Sequence, residues 1–272
     1  CLKCCLQYEQ YSQCSIPLED MGIDYIVHTA SNTSSKAFVE RPMEIIETAV
    51  GGTKRVLELA KINGIRAMAY LSTMEVYGTP STDEKIDESH STNLDTMSVR
   101  SCYPESKRMC ESICASYQKE YGVPTVVLRL TQTFGPGVQY DDGRVFAEFA
   151  RCAIEGRDIV LKTKGETKRE YLHVDDAVNA IFTSLIKGCP GEAYNVANEE
   201  TYCSIREMAE LVADRCAEGR ISVRIQEEDS SKYGYAPTLH MNLDTSKFRD
   251  LGWIPKHNLE ETFKDMIANM NK

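Results

Sequence analysis

Apolar positions along the 272-residue chain fall into two alternating patterns. Short apolar runs, Asp24-Tyr-Ile-Val-His28, Ala67-Met-Ala-Tyr-Leu-Ser72 and Thr125-Val-Val-Leu-Arg129, read as strands buried on both faces, as in a parallel sheet. Between them Ile46, Val50, Val56, Leu59 and Ala60 recur at helical spacing and predict a helix over Pro42 to Asn63, with Pro42 suited to the first turn and Gly64 to the stop. A second helix is predicted from about Pro104 to Tyr121. Strand, helix, strand, helix, strand in sequence predicts an α/β fold of Rossmann type, a parallel sheet with helices on its faces. Right-handed crossovers would bring the carboxyl ends of the strands to one edge, where open sheets bind ligands, and Ser72, Thr73 and Gln132 are expected there. Residues 79–100 are polar and aperiodic, which predicts a long surface loop of the functional kind. After Gly135-Pro-Gly137 the elements shorten, as in a smaller domain woven into the first.

Composition narrows the class. With 42% hydrophobic residues the chain can bury a substantial core, and a net charge of −10 with a pI near 5.1 argues against a nucleic-acid partner. No apolar run is long enough for a membrane span, so a soluble protein is expected. The 11 cysteines are scattered through predicted helices and strands of a chain too large to need disulfide staples, and a cytoplasmic, reducing location fits them. Cys1 and Cys4 have C-x-x-C spacing but no second pair nearby, so no metal site is expected. The chain starts at Cys1, and residues 1–20 show neither a secretory pattern nor periodicity, which reads as an internal beginning.

Tyr103 and Lys107 stand four apart at the start of the second predicted helix and so share one face. A tyrosine near its usual pKa of about 10 is a poor base, and a neighbouring ammonium favours the phenolate. Thr73 or Ser72 supplies a second hydroxyl able to hydrogen-bond a substrate oxygen as hydride leaves its carbon. Taken alone, the Tyr/Lys spacing matches any solvated helix face as well.

Five segments in order change that balance. Leu71-Ser-Thr-Met-Glu-Val-Tyr-Gly78, Tyr103-Pro-Glu-Ser-Lys107, Arg129 with Thr133-Phe-Gly-Pro136, Arg169-Glu-Tyr-Leu-His-Val-Asp-Asp176 and Leu251-Gly-Trp-Ile-Pro255 resemble the landmarks of extended short-chain dehydrogenases, the sugar-nucleotide epimerase/dehydratase family. The resemblance runs from about Asp24 to the C-terminus. It implies NAD as cofactor, with NADP not excluded, a sugar-nucleotide substrate and a homodimer built on the two predicted helices. It implies Tyr103 as base and cofactor contact, Lys107 as its electrostatic partner and ribose contact, Thr73 as the second hydroxyl donor to the substrate, and Glu75 as a further catalytic residue. Thr29, Ala30, Ser31, Leu71, Ser72 and Gln132 become cofactor contacts; Arg144, Val145 and Arg169 become substrate contacts. An arginine suits the diphosphate because its planar fork pairs with phosphate oxygens, although a salt bridge from Arg169 to Asp175 or Asp176 is the plainer reading. The implied domains are an incomplete dinucleotide-binding domain, 1–135 with 169–187 returning to it, and a substrate-binding domain, 136–168 and 188–272.

The sequence departs from the family pattern in several places. The glycine-rich first turn and the acidic residue that follows it are absent, Ala49 replaces a usual Asn, Gln132 replaces the Asn common before Gly-Pro, and no Arg stands near Tyr235 to Asn242 for the second phosphate. Without that turn the chain is expected to bind NAD(P) weakly and to expose an apolar sheet edge. Trp253 reads as a packing anchor, and Cys102, Cys110 and Cys114 as small buried or interface residues. Met74 cannot protonate a leaving hydroxyl, which disfavours dehydration. A sugar-nucleotide epimerase is the first expectation; a UDP-glucuronate decarboxylase follows closely, because Glu75 with Arg169, and the segments Cys102-Tyr103, Thr133 to Pro136 and Asp142 to Val145, resemble that branch. A non-catalytic sugar-nucleotide or partner-binding module is the alternative from another class.

Overall fold

The computed structural model describes residues 19–91, 93–227 and 238–270, so Cys1 and Cys4 lie outside the described part. The chain divides into two compact units. The first runs up to Gly78 and includes His90–Leu130 and Ala180–Asn195; the second takes Thr79–Ser89, Thr131–Asn179 and the chain from Val196 on. Residues 79–89 and 169–179 therefore belong to the second unit and 188–195 to the first, a different division from that implied by the sequence.

In the first unit β1 (Tyr25–His28), β2 (Ala67–Thr73), β3 (Thr125–Leu130) and β7 (Ala193–Val196) form one sheet in the order β1-β2-β3-β7. The β1–β2 and β2–β3 pairs are parallel, with Val27 opposite Ala69 and Ala69 opposite Val126. The near-continuous burial of β2 is what a central parallel strand requires. Short helices α1 (Ser35–Glu40) and α2 (Pro42–Ile46) lead into α3 (Gly52–Asn63), which ends at Gly64 in the left-handed conformation. The single helix expected over 42–63 is interrupted at Glu47–Gly51 by a π-helical turn, whose extra residue per turn the local apolar spacing does not reveal. Helix α4 spans Cys102–Tyr121 and also stops on a left-handed glycine, Gly122.

One side of this sheet is packed. Leu57, Met68, Tyr70, Cys110, Cys114 and Val127 form a core between strands and α3/α4. Full burial of each such aliphatic side chain contributes about 1.5–3 kcal/mol. The buried thiols agree with a packing role for Cys110 and Cys114, and every cysteine of the described residues is a free thiol. At β1, an edge strand among the described residues, Tyr25 and Val27 remain 46% and 42% exposed. The expected apolar edge is present.

In the second unit β4 (Gln132–Phe134), β6 (Lys168–His173) and β10 (His240–Met241) pair in parallel, and β8 (Asn198–Ser204) joins β6 antiparallel. A separate pair, β5 (Ile159–Leu161) with β9 (Val223–Ile225), completes the strands described there. Helices α5 (Val145–Glu155), α7 (Ile205–Leu211) and α9 (Leu259–Asn269) surround a core that includes Phe134, Phe146, Phe149, Tyr171, Met208 and Phe263. Helix α6 (Val174–Lys187) starts in this unit, and α8 (Ser246–Arg249) lies just before Trp253. Trp253 is the packing anchor expected: it is 2% exposed, lies against Phe248, and its indole N–H donates to the Asp176 carbonyl.

Candidate active site

In the first unit, the end of β2 and the first turns of α4 converge on one corner. Thr73 caps the 3-10 turn Met74–Tyr77, its hydroxyl accepting the Glu75 N–H at 3.2 Å. Tyr103 is 6% exposed and stacked on Phe38 of α1 with centroids 4.4 Å apart, and the Thr73 hydroxyl is near enough to favour its phenolate. One turn on, Lys107 is 5% exposed; its Nζ donates to the Leu71 carbonyl at 2.8 Å and lies 5.9 Å from the Tyr103 ring centroid. Tyr103, Lys107, Thr73 and Glu75, predicted from separate segments, are thus brought together.

Their electrostatics differ from the simple expectation. Burial, and after it the Glu75 carboxylate, pushes the Tyr103 phenol above its ordinary value, while the Thr73 hydroxyl and Arg100 act in the opposite sense. Lys107 does not offset this, because burial brings its own ammonium down to about 8. A buried, unpaired charge is costly, and in the free protein both groups tend toward their neutral forms. His28 at the end of β1 is likewise held neutral, pushed down to about 4 by burial and then by Lys107; its Nε2 lies 3.1 Å from the Thr53 hydroxyl.

Two groups that the sequence reading did not single out complete the corner. Arg100 lies three residues before Tyr103, and its two terminal nitrogens lie 2.9 and 3.5 Å from the two Glu75 oxygens. Glu111, one turn past Lys107, takes three hydrogen bonds from Arg129, the shortest 2.7 Å, and a further one from the Ser72 hydroxyl. Arg129 also donates to the Tyr77 hydroxyl at 2.8 Å, which donates to Asn195 at 2.7 Å. This chain of bonds ties the ends of β2 and β3 to α4 and β7. The signals available were helical spacing, Glu111 at Lys107 plus four and Arg100 at Tyr103 minus three.

The loop after β1 runs through Thr29, Ala30 and Ser31 to Asn32, which is 4% exposed with its side-chain N–H group unpartnered. A buried orphan donor beside an open loop is what a contact site for a polar ligand requires. With Lys107 and Tyr103 it fits the nicotinamide and ribose side of a dinucleotide. Nothing in the sequence supplies a glycine-rich turn for the pyrophosphate, since no glycine precedes Gly22. Leu71 contributes its carbonyl to Lys107, and the Ser72 hydroxyl is engaged with Glu111.

The other predicted contacts lie in the second unit. Gln132 opens β4 and pairs with Tyr171 of β6, not with the β1–β3 sheet as expected: β3 ends at Leu130 and the Thr131 N–H bonds to Val196. Arg169 on β6 faces Met241 and Cys203 on neighbouring strands. The expected alternative pairing with Asp175 or Asp176 is not formed among the described residues, and its Nε is buried without a partner. Asp176 instead accepts the backbone N–H groups of Lys256 and His257. Arg144 is exposed at the start of α5, paired with Asp142 and lying over Phe146; Val145 is half-buried beside it. His173, Asp175 and His257 offer ligand atoms within 4.8 Å, but the two imidazoles stack face to face at 4.0 Å and His173 Nδ1 accepts the Asp175 N–H, an arrangement poorly suited to chelation.

A Rossmann-type parallel sheet with a Tyr/Lys/Thr corner at its strand ends defines an extended short-chain dehydrogenase. The chain belongs to the NAD dependent epimerase/dehydratase family, whose model matches residues 6–197. It is 31% identical over 252 residues to UDP-glucuronic acid decarboxylase 1 of Xenopus tropicalis, covering 92% of this chain and 57% of that protein. Against UDP-glucuronic acid decarboxylase 3 of Arabidopsis thaliana the identity is 31% over 240 residues, 88% of this chain and 67% of the relative. The chain therefore spans little more than half to two thirds of the relatives it matches. The fold is similar to that of UDP-N-acetylglucosamine 4-epimerase from Methanobrevibacter ruminantium M1, solved in complex with UDP-N-acetylmuramic acid, with a TM-score of 0.79, 22% identity, and coverage of 90% of this chain and 76% of that one.

Proposed function

We propose that this chain carries the catalytic corner of an NAD(P)-dependent sugar-nucleotide enzyme that passes through a transient keto-sugar, and that its substrate sugar is a uronic acid which it decarboxylates. The observation that carries the reading is the convergence of the buried Tyr103 phenol and Lys107 one turn on with the end of β2, where Thr73 accepts the Glu75 N–H. The identity to UDP-glucuronic acid decarboxylases supports decarboxylation over the epimerisation expected first from the sequence.

Thr29 to Asn32, Tyr103 and Lys107 would hold the cofactor's nicotinamide side, where the bound group supplies reversible hydride acceptance. Tyr103 takes the proton of the substrate C4 hydroxyl as the C4 hydride leaves, and Thr73 hydrogen-bonds the same oxygen. Deprotonating a raised phenol needs added positive charge; the Lys107 ammonium is the chain's own source, with its proton retained when an anionic ligand is present. A C4 ketone lies β to the carboxylate on C5, so loss of CO2 would leave its electron pair delocalised onto the ketone oxygen that Thr73 and protonated Tyr103 hold; a proton taken up at C5 would restore the ketone, and return of the hydride to C4 with the Tyr103 proton passed back to the C4 oxygen would give the pentose. In the second unit, Arg169 with its buried, unpartnered Nε, and Arg144 with Val145, are the residues that the family resemblance assigns to the substrate, and a guanidinium fork suits a diphosphate.

The free thiols and the lack of any helix long and apolar enough to cross a membrane among the described residues support a cytoplasmic protein. The exposed Met43, Ile62 and Met109 support a homodimer through α2, α3 and α4. Incubation with UDP-glucuronate and NAD is expected to release CO2 and form a UDP-pentose. C4 inversion without CO2 release would return the assignment to an epimerase, and binding without turnover of UDP-glucuronate or UDP-glucose would favour the non-catalytic module.

A further inference from the structure

The Arg100 guanidinium occupies a position that the hydride chemistry does not use. It precedes Tyr103 by one turn, on the short 3-10 segment Val99–Ser101. Glu75 holds it by a two-point contact, and its Cζ lies 5.8 Å from the centre of the Phe38 ring, the ring on which Tyr103 stacks. Both members of the pair remain accessible, with side chains 28% and 26% exposed. Arg100 and Glu75 are close enough to Tyr103 to act on its phenol in opposite directions.

Charge arithmetic then restricts what can approach. A sugar whose C4 hydroxyl reaches Thr73 and Tyr103 brings its C5 substituent within the same small neighbourhood as Glu75. A carboxylate there would meet the Glu75 carboxylate, and two like charges in a partly buried site are disfavoured without a shared cation. Lys107 is a poor candidate for that cation: it is buried, directed at the Leu71 carbonyl, and shifted down to about 8. Arg100 offers a planar guanidinium fork with more donors than one carboxylate uses.

We infer that Arg100 is a specificity-determining residue, whose guanidinium shared with Glu75 accepts the carboxylate of a uronic-acid sugar nucleotide and separates such substrates from neutral ones. The inference rests on the sugar-nucleotide reading and adds to it the residue that selects the charged sugar. In the pair as it stands, Glu75 competes with the substrate for the fork, so the two residues have opposite effects on carboxylate binding.

The test is calorimetric titration of the full 272-residue chain, with NAD present, using UDP-glucuronate, UDP-glucose and UDP. Arg100→Gln is expected to weaken UDP-glucuronate about tenfold or more, the loss of one charge-assisted fork contact, and to leave UDP-glucose and UDP unchanged. Arg100→Lys should recover part of the loss. Glu75→Gln frees the guanidinium and is expected to tighten UDP-glucuronate alone, a gain that a misfolded corner would not produce. An unchanged ratio of UDP-glucuronate to UDP-glucose affinity in Arg100→Gln, with all three ligands still bound, overturns the inference and leaves the sugar-nucleotide reading standing. If none of the three ligands binds the unsubstituted chain, the sugar-nucleotide reading fails and the inference falls with it.

Discussion

The corner around Tyr103 and the strand around Arg169 both gather polar groups but satisfy them differently. At the corner, Ser72, Glu111, Arg129, Tyr77 and Asn195 form one connected set, and Lys107, Glu75 and Arg100 have partners. On and beside β6, Arg169 Nε, Glu170 Oε2, the Tyr171 hydroxyl and Gln132 Oε1 are buried without partners. An unmet buried polar group costs about 1–3 kcal/mol, so the second region stores a cost that a bound ligand can return. The first region is already organised in the free protein. Rigid placement suits groups that must meet a reacting atom within a few tenths of an ångström, whereas unpaired donors suit groups that wait for a phosphate.

The largest expected effect lies in the organised corner. Tyr103→Phe removes the phenol proposed to take the substrate proton while keeping the stack on Phe38, so turnover should fall about a thousandfold with sugar-nucleotide affinity and melting temperature nearly unchanged. Steady-state kinetics beside a thermal melt would measure this. Turnover within tenfold of the parent would remove Tyr103 from the base role and erase the contrast drawn above.

The strained region offers a pH test. Glu170 is 0% exposed; its Oε1 accepts the Leu243 N–H at 2.7 Å and its Oε2 has no partner. Burial pushes its carboxyl from an ordinary 4.5 up to about 8, with the nearby Glu199 adding to the shift and Lys85 opposing it. The folded chain thus holds a proton there that the unfolded chain has lost. By linkage, the stability this group contributes is fully present below pH 4.5 and is lost as pH rises to about 8. Glu170→Gln cannot lose it. Urea unfolding at pH 5 and pH 9 should show the parent losing on the order of a few kcal/mol relative to the variant, and parallel pH profiles would mean that Glu170 is solvated.

What the sequence showed and what it hid divides along the same line. Strands β1 to β3 were legible as apolar runs, and Tyr103 with Lys107 by helical spacing, because both signals are local. The Glu75–Arg100 contact joins residues 25 apart and the Ser72–Glu111 contact residues 39 apart, and no period in the chain relates them. Gln132 was misplaced for a similar reason. Only the crossing of the chain at Leu130 to Thr131, where the backbone leaves one sheet for the other, decides which strands it joins. The π-helical turn at Glu47–Gly51 leaves no mark in an apolar pattern that tolerates a one-residue slip.

The smallest expected effect concerns Ser72, which the family resemblance assigns to the cofactor. Its hydroxyl proton is spent on Glu111, a carboxylate only 12% exposed that already holds the Arg129 fork. Ser72→Ala removes the one hydroxyl bond to Glu111 beside three from Arg129 and leaves the ion pair intact, so denaturant unfolding should show a loss of about 1 kcal/mol. Breaking the pair itself, by contrast, would leave a guanidinium that is 15% exposed without its counter-ion and cost about 3 kcal/mol. NAD affinity should stay the same in Ser72→Ala, because the hydroxyl proton is already engaged with Glu111. A tenfold loss of NAD affinity at unchanged stability would return Ser72 to the cofactor and show that the network re-forms when the dinucleotide binds; a stability loss near 3 kcal/mol would instead show that Glu111 depends on Ser72 as much as on Arg129.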